Sequence, residues 1–291
     1  MVTDPEQPES EVPGFADRMD PDGRTRQAIS DSASLLHPAA RAVFESLGVP
    51  REAFEQILSS HAQLQRLITA YDRWLPLTQL GWVLTDLAKP DVYDQATRVL
   101  AEGRTEEAES LIEEHWNQPG NLEMAISRIN RTAIYTDARV RVGKARFGLF
   151  QEAVACHRDG RYAAALGIVI PQMEGMVLEV GLPSPYKAPS QLVDDTTTGG
   201  HPQVLKVIYG FSRRGVKKTT LDDSRFPLRH GIEHGRLLGY GNRRNSTKAF
   251  VAAAELANFC QARIEEAHEA GTLEGLDRKV FTAPLLGGDA S

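Results

Sequence analysis

The sequence predicts an all-α fold, an N-terminal helical region followed by a second helical domain. Three observations lead there. Apolar residues recur at three- and four-residue steps, capping residues and glycines punctuate those stretches at helix-length intervals, and a 41% hydrophobic content over 291 residues can fill a core.

Residues 1–34 are rich in Pro, Asp, Glu and Gly with few apolar side chains, a composition that buries too little surface to offset ordering and predicts a flexible tail. Residues 35–135 form the N-terminal helical region, to which the sequence assigns no role. Stretches 38–48 and 50–74 carry the amphipathic pattern, as in Phe54, Ile57, Leu58, Leu64 and Leu67. Trp74, Leu75, Leu77, Leu80, Trp82, Val83 and Leu84 then follow so densely that core or interface packing is expected rather than a ligand site. Stretches 91–101 and 105–116 predict a helical hairpin, with Gly103 as its stop and Thr105, Glu106 and Glu107 opening the second helix. A Pro119-Gly120-Asn121 turn starts another helical stretch, and a domain boundary is expected near residue 135.

The second domain, residues 136–272, opens with a helix over 137–157 whose Phe147, Phe150, Val154 and His157 share a face, ended by Gly160. An apolar helix over 162–180 holds Pro171 at its middle, where a kink or division is expected. After Gly181 a connection rich in Pro, Ser and Thr predicts a mobile loop, followed by a short apolar piece at 201–210. The last long helix is predicted over 245–270, capped by Ser246, closed by Gly271, and burying Ala249, Ala253, Leu256, Cys260 and Ile264. Residues 273–291 are expected to be a loosely held tail.

Arginine outnumbers lysine by 25 to 8, yet 39 acidic residues leave a formal net charge of -6, so nucleic-acid binding would need a local basic patch. Arg213, Arg214, Lys217 and Lys218, four cations in six positions, are the best anion-attracting segment. Cys156 and Cys260 lie far apart in apolar stretches, which suits a reducing compartment, and cytoplasm is expected. No apolar run approaches a membrane span, no paired-cysteine zinc spacing or Gly-rich phosphate loop occurs, and neither metal nor cofactor is expected.

Chemistry concentrates at Arg229, His230 and His234. Arginine stays charged and forks onto phosphate oxygens, while histidine titrates near neutrality and moves protons. Spacing alone does not single out this group, because Arg225 with His230 and Arg263 with His268 repeat the same five-residue step.

Context separates them. Arg229-His230-Gly231-Ile232-x-His234-Gly235, then Tyr240-Gly241 and Asn245-Ser246-x-Lys248-Ala249, resembles bacterial HEPN-type domains with their Arg-polar-x-x-x-His motif. The stretches 146–153, Gly160-Arg161-Tyr162 and Ile170 to Gly175 resemble the first two helices of that domain. The resemblance covers roughly residues 137–270 and implies a HEPN-like up-down helical bundle, usually a homodimer, in which two chains build one metal-independent RNA-cleaving site. It also implies a toxin or phage-defence setting, with an antitoxin or another protein as partner. Under this resemblance His234 is the general acid or base, Arg229 stabilises charge on the phosphate, and His230 orients a phosphate or the other imidazole. Residues five apart on a helix point about 140° away from each other, so a site spanning a two-fold axis would unite His234 of one copy with Arg229 of the other. Products would end in a cyclic phosphate, and DNA would be inert because it lacks the 2′-hydroxyl nucleophile.

Two alternatives use the same residues. One is a non-catalytic HEPN-like module that binds a nucleotide or a protein, to which Glu233 points, since it can pair with Arg229 four residues earlier and neutralise it. The other is a zinc-dependent peptidase built on His230-x-x-Glu233-His234, with Glu265, Glu266 or Glu269 as third-ligand candidates by residue type, though Gly231 and Gly235 disfavour a rigid ligand-bearing helix.

Overall fold

The computed structural model describes residues 73–186, 204–205, 207–208, 218–221 and 229–282. The chain forms two compact units, Met1–Asp72 and Arg73–Ser291, and every described residue belongs to the second. The expected tail at 1–34 and the helices at 38–48 and 50–72 lie outside the described residues, as does most of the connection at 187–217. The boundary expected near residue 135 falls inside the second unit, where side-chain bonds such as Asn117 to Thr247 and the ion pair of Arg128 with Glu255 join the two sides.

Among the described residues every regular element is helical, so the all-α class holds. The helices are α1 (Pro90–Ala101), α2 (Thr105–Asn117), α3 (Asn121–Ser127), a 3-10 turn (Arg128–Thr132), α4 (Asp137–Arg158), α5 (Tyr162–Leu178), α6 (Arg229–Glu233), α7 (Arg243–Glu269) and α8 (Leu273–Val280). Residues 73–78 are helical as well. No described helix is long and apolar enough to cross a membrane.

Local chemistry sets most ends. Pro90 opens α1 at a position whose N–H would have no helical partner. Thr136 caps α4 through its hydroxyl, which accepts from the Arg139 N–H. Gly160 and Gly271 close α4 and α7 with φ of +75° and +66°, and the amides that follow turn back onto the Cys156 and Ala267 carbonyls at 2.8 Å. The cap of α7 differs from expectation. Asn242 accepts from the Asn245 N–H at 2.8 Å, while Ser246 lies inside the helix and is buried. α5 runs through Pro171 as one continuous helix rather than dividing there. Its heavily apolar neighbours, Leu166, Val169, Ile170 and Met173, are buried and hold it together despite the missing N–H.

α7 is the central element and packs on α5, the 3-10 turn, α3, α2 and α8. Its stretch from Asn245 to Ala257 is buried on all sides. Five alanines there, Ala249, Ala252, Ala253, Ala254 and Ala257, keep the helix narrow enough to be enclosed. The aromatic-rich stretch after Arg73 is core, as its density predicts: Trp74, Leu77, Trp82 and Leu84 are almost fully enclosed. Trp116 donates to the Tyr93 hydroxyl at 3.0 Å and Trp74 to Asp94 at 2.7 Å, so both indoles bury area worth about 2–3 kcal/mol each with the N–H satisfied.

The tail expected from residue 273 instead begins with a docked helix. Asp277 of α8 is buried, pairs with Arg139 at 2.7 Å and accepts from the Thr136 hydroxyl at 2.7 Å. Leu276 lies so close to Gly181 that a Cβ there would meet its methyl at 2.9 Å.

Candidate functional site

The residues singled out by the sequence fall on α6 and the turn after it. α6 has five residues and ends as the Arg236 N–H turns back onto the Gly231 carbonyl at 2.8 Å, with Gly235 at φ +61°. His230 and His234 are both exposed, and their rings meet edge to face with centroids 4.3 Å apart. The histidines therefore form a surface pair on one side of this turn.

Arg229 has a different environment. Its Nη2 lies 2.8 Å from Glu174 Oε2 on α5, and its Nε donates to Glu233 Oε1 at 2.9 Å. The guanidinium also sits over the Tyr186 ring, 4.9 Å from the centroid, and the Tyr186 hydroxyl donates to the Ile170 carbonyl at 3.1 Å. Burial pushes that hydroxyl well above the ordinary phenol range. α5 and the segment after it thus fix one side of the guanidinium, and α6 supplies the carboxylate on the other.

Of the basic segment, Lys218 is described and exposed, whereas Arg213, Arg214 and Lys217 lie outside the described residues. Two residues past Lys218 an isolated parallel bridge joins Thr220 to Leu237. The Thr220 N–H donates to the Arg236 carbonyl at 2.8 Å, and the Leu238 N–H donates to the Thr220 carbonyl at 2.9 Å. This bridge moors Thr220, two residues past Lys218, to the stretch that directly follows the α6 turn.

The Arg263–His268 pair is engaged elsewhere. Arg263 pairs with Glu266 at 2.9 Å, His268 stacks on Tyr135 with centroids 4.1 Å apart, and Arg225 is outside the described residues. Among the described residues no group of three His, Cys, Asp or Glu side chains could hold a metal ion. Glu265 is bonded to Gln261 and Glu266 to Arg263, and neither these nor Glu269 forms a metal-holding group with His230 and His234.

A second polar cluster was not visible in the sequence. Lys248, enclosed completely, bonds Glu109 and the Leu80 carbonyl and lies over the Trp82 ring. Arg244 reaches Glu106 at 2.8 Å and both Glu109 and Glu113 at 3.0 Å, which raises its already high pKa further, against burial. Beside them Ser246, His157 and Asn117 form a hydrogen-bonded row in the order of a nucleophile, a base and its orienting group. Ser246 is 1% and His157 3% exposed, so no substrate reaches the hydroxyl, and the row works as an internal tie. Cys260 is likewise enclosed, and burial pushes its thiol up to about 12, which leaves it unreactive. Among the described residues the α6 turn brings two exposed imidazoles into contact.

Comparison of the chain with family models, with curated proteins and with solved structures finds no match.

Proposed function

We propose that this chain is a metal-independent endoribonuclease whose proton-transfer groups are on the α6 turn and whose RNA is held by the basic segment ending at Lys218. The observation that carries this reading is the Thr220–Leu237 bridge, which ties the residue two positions past Lys218 to the segment that follows two exposed imidazoles. On this reading the cations of residues 213–218 draw phosphate toward the imidazoles.

The chemistry needs little else. One imidazole takes the proton of the ribose 2′-hydroxyl, that oxygen attacks the adjacent phosphorus, and the departing 5′-oxygen receives a proton from a second acid. The products are a 2′,3′-cyclic phosphate and a 5′-hydroxyl. The two rings of one copy touch, which leaves no room for a phosphate between them. The second group therefore comes from a neighbouring copy, and the proposal includes a homodimer with the turns facing each other. A toxin or phage-defence role, with an antitoxin or other protein partner, follows from the resemblance of the α6 motif alone.

The ion pairs of Arg229 favour a second reading, a non-catalytic module that binds RNA, a nucleotide or a protein. A guanidinium already matched by two carboxylates stabilises phosphorane charge poorly. Labelled RNA incubated with the full chain and excess chelator separates these readings. Cyclic-phosphate products that persist under chelation support the nuclease, retention of intact RNA on the protein supports the binding module, and cleavage that stops on metal removal contradicts both.

A further inference from the structure

We infer that the Arg229 guanidinium is a phosphate subsite and that Glu233 occupies it as an internal competitor, so that the chain carries its own brake on anion binding. The inference rests on the proposed RNA-directed reading for the identity of the ligand, but the subsite itself is argued from side-chain geometry.

Glu174, Glu233 and Tyr186 meet Arg229 in unequal ways. Glu174 projects from the long helix α5, and its side chain is only 20% exposed. Tyr186 supports one face of the guanidinium and is itself tied to the Ile170 carbonyl. These two hold the cation in place, and with Glu233 also against it the side chain is still 30% exposed. Glu233 is 40% exposed, and it reaches the Nε edge from only four residues along the same short helix. Exposed pairs of this kind are weak and exchange readily with solvent ions. Glu233 holds the Nε–H through one oxygen, and that donor binds carboxylate and phosphate oxygens alike, so a phosphate oxygen can take the place of the Glu233 carboxylate without moving Arg229 from its support.

Chemistry therefore selects a ligand with more charge than a carboxylate. A polyphosphate or a phosphodiester chain displaces Glu233, whereas a small monoanion does not.

Isothermal titration of the full chain with inorganic pyrophosphate tests the subsite without depending on RNA. Glu233→Gln keeps the side-chain shape and removes the competing charge, so its pyrophosphate affinity should rise at least fivefold over the unaltered chain. In Arg229→Gln/Glu233→Gln that gain should vanish. Equal affinity in Glu233→Gln and the unaltered chain overturns the inference, and so does a gain that survives loss of Arg229, which marks a diffuse charge effect. Circular dichroism of both variants reports folding. If the pyrophosphate pattern holds while RNA is neither bound nor cleaved, the subsite stands and the nuclease proposal fails. If RNA is cleaved equally by the unaltered chain and Glu233→Gln, with unchanged pyrophosphate affinity, the nuclease proposal stands and the competitor role of Glu233 fails.

Discussion

His157 Nε2 lies 2.6 Å from Asn117 Oδ1, a bond that ties α4 to the end of α2 and fixes the protonation state of a buried imidazole. The Asn117 amide nitrogen donates to the Glu113 carbonyl and to Thr247 Oγ1, both at 2.8 Å, so its oxygen faces the ring. His157 must then carry its proton on Nε2 and accept from the Ser246 hydroxyl at Nδ1, 2.9 Å away. A neutral ring is the form this interior accommodates.

Acid should therefore weaken the fold through His157. Burial first, and then the charges of Arg158 and Arg243, hold its pKa down to about 4, below the ordinary value of 6.5. The unfolded chain takes up the proton at higher pH than the folded one. The stabilisation is thus complete above pH 6.5 and is lost as pH falls through 4, by about 3 kcal/mol. Urea midpoints between pH 7 and pH 4 measure this, with His157→Gln as the reference. An equal acid slope in the variant would falsify the assignment to this ring.

Removing Glu109 should be far more damaging than its replacement of one carboxylate suggests. Glu109→Ala takes the bonded carboxylate from the enclosed ammonium of Lys248 and strips Arg244 of one of its three carboxylates. Breaking a buried pair from one side costs about 3–5 kcal/mol. Equilibrium unfolding of the double variant Glu109→Leu/Lys248→Met should recover much of that loss, since no charge stays buried alone. A double variant no better than Glu109→Ala argues that packing around α7, rather than charge, sets the penalty.

Gly143→Ala should destabilise the unit by about 1–3 kcal/mol, although alanine is the better helix former. A Cβ at this position of α4 would come within 2.3 Å of the Ala133 side chain and 2.8 Å of its Cα, so backbone has to move. Gly148→Ala in the same helix meets nothing within 4 Å and should be neutral or stabilising. Urea titration of both variants checks the contrast, and equal stability of the two would mean the 3-10 turn yields freely.

His234→Ala should lower RNA cleavage by about 10²- to 10⁴-fold, the range of a lost acid or base. His230→Ala should cost less, because it removes the edge-to-face partner rather than the ring beyond the helix end. Single-turnover cleavage of a labelled RNA with matched circular dichroism spectra reads both. Undiminished cleavage by His234→Ala removes this ring from the mechanism.

Helix identity was legible because its signals are local: Pro90 at a start, Gly160 and Gly271 at ends, and apolar steps between them. Where two neighbouring residues offered the same chemistry, legibility ended. Asn242 and Ser246 are both good caps, and only the fold, which sets His157 of α4 against Ser246, shows that Ser246 lies inside. The same limit applies at the candidate site. The Arg229–Glu233 pair is readable as a four-residue step, but Glu174 and Tyr186 come from 55 and 43 positions earlier, and only the fold brings them to the guanidinium. α8 was hidden for a similar reason, since an aspartate near a terminus looks like surface until its partner Arg139 is known.

At the head of α7, Asn245, Ser246, Thr247 and Lys248 are four polar residues in succession, all sealed in the interior. By hydrophilicity this tetrapeptide would be chosen for decoration, tagging or crosslinking, yet each member is spoken for. Lysine-directed reagents should leave Lys248 unlabelled in the native protein and modify it only as the molecule opens, which makes that one ammonium a built-in reporter of global unfolding.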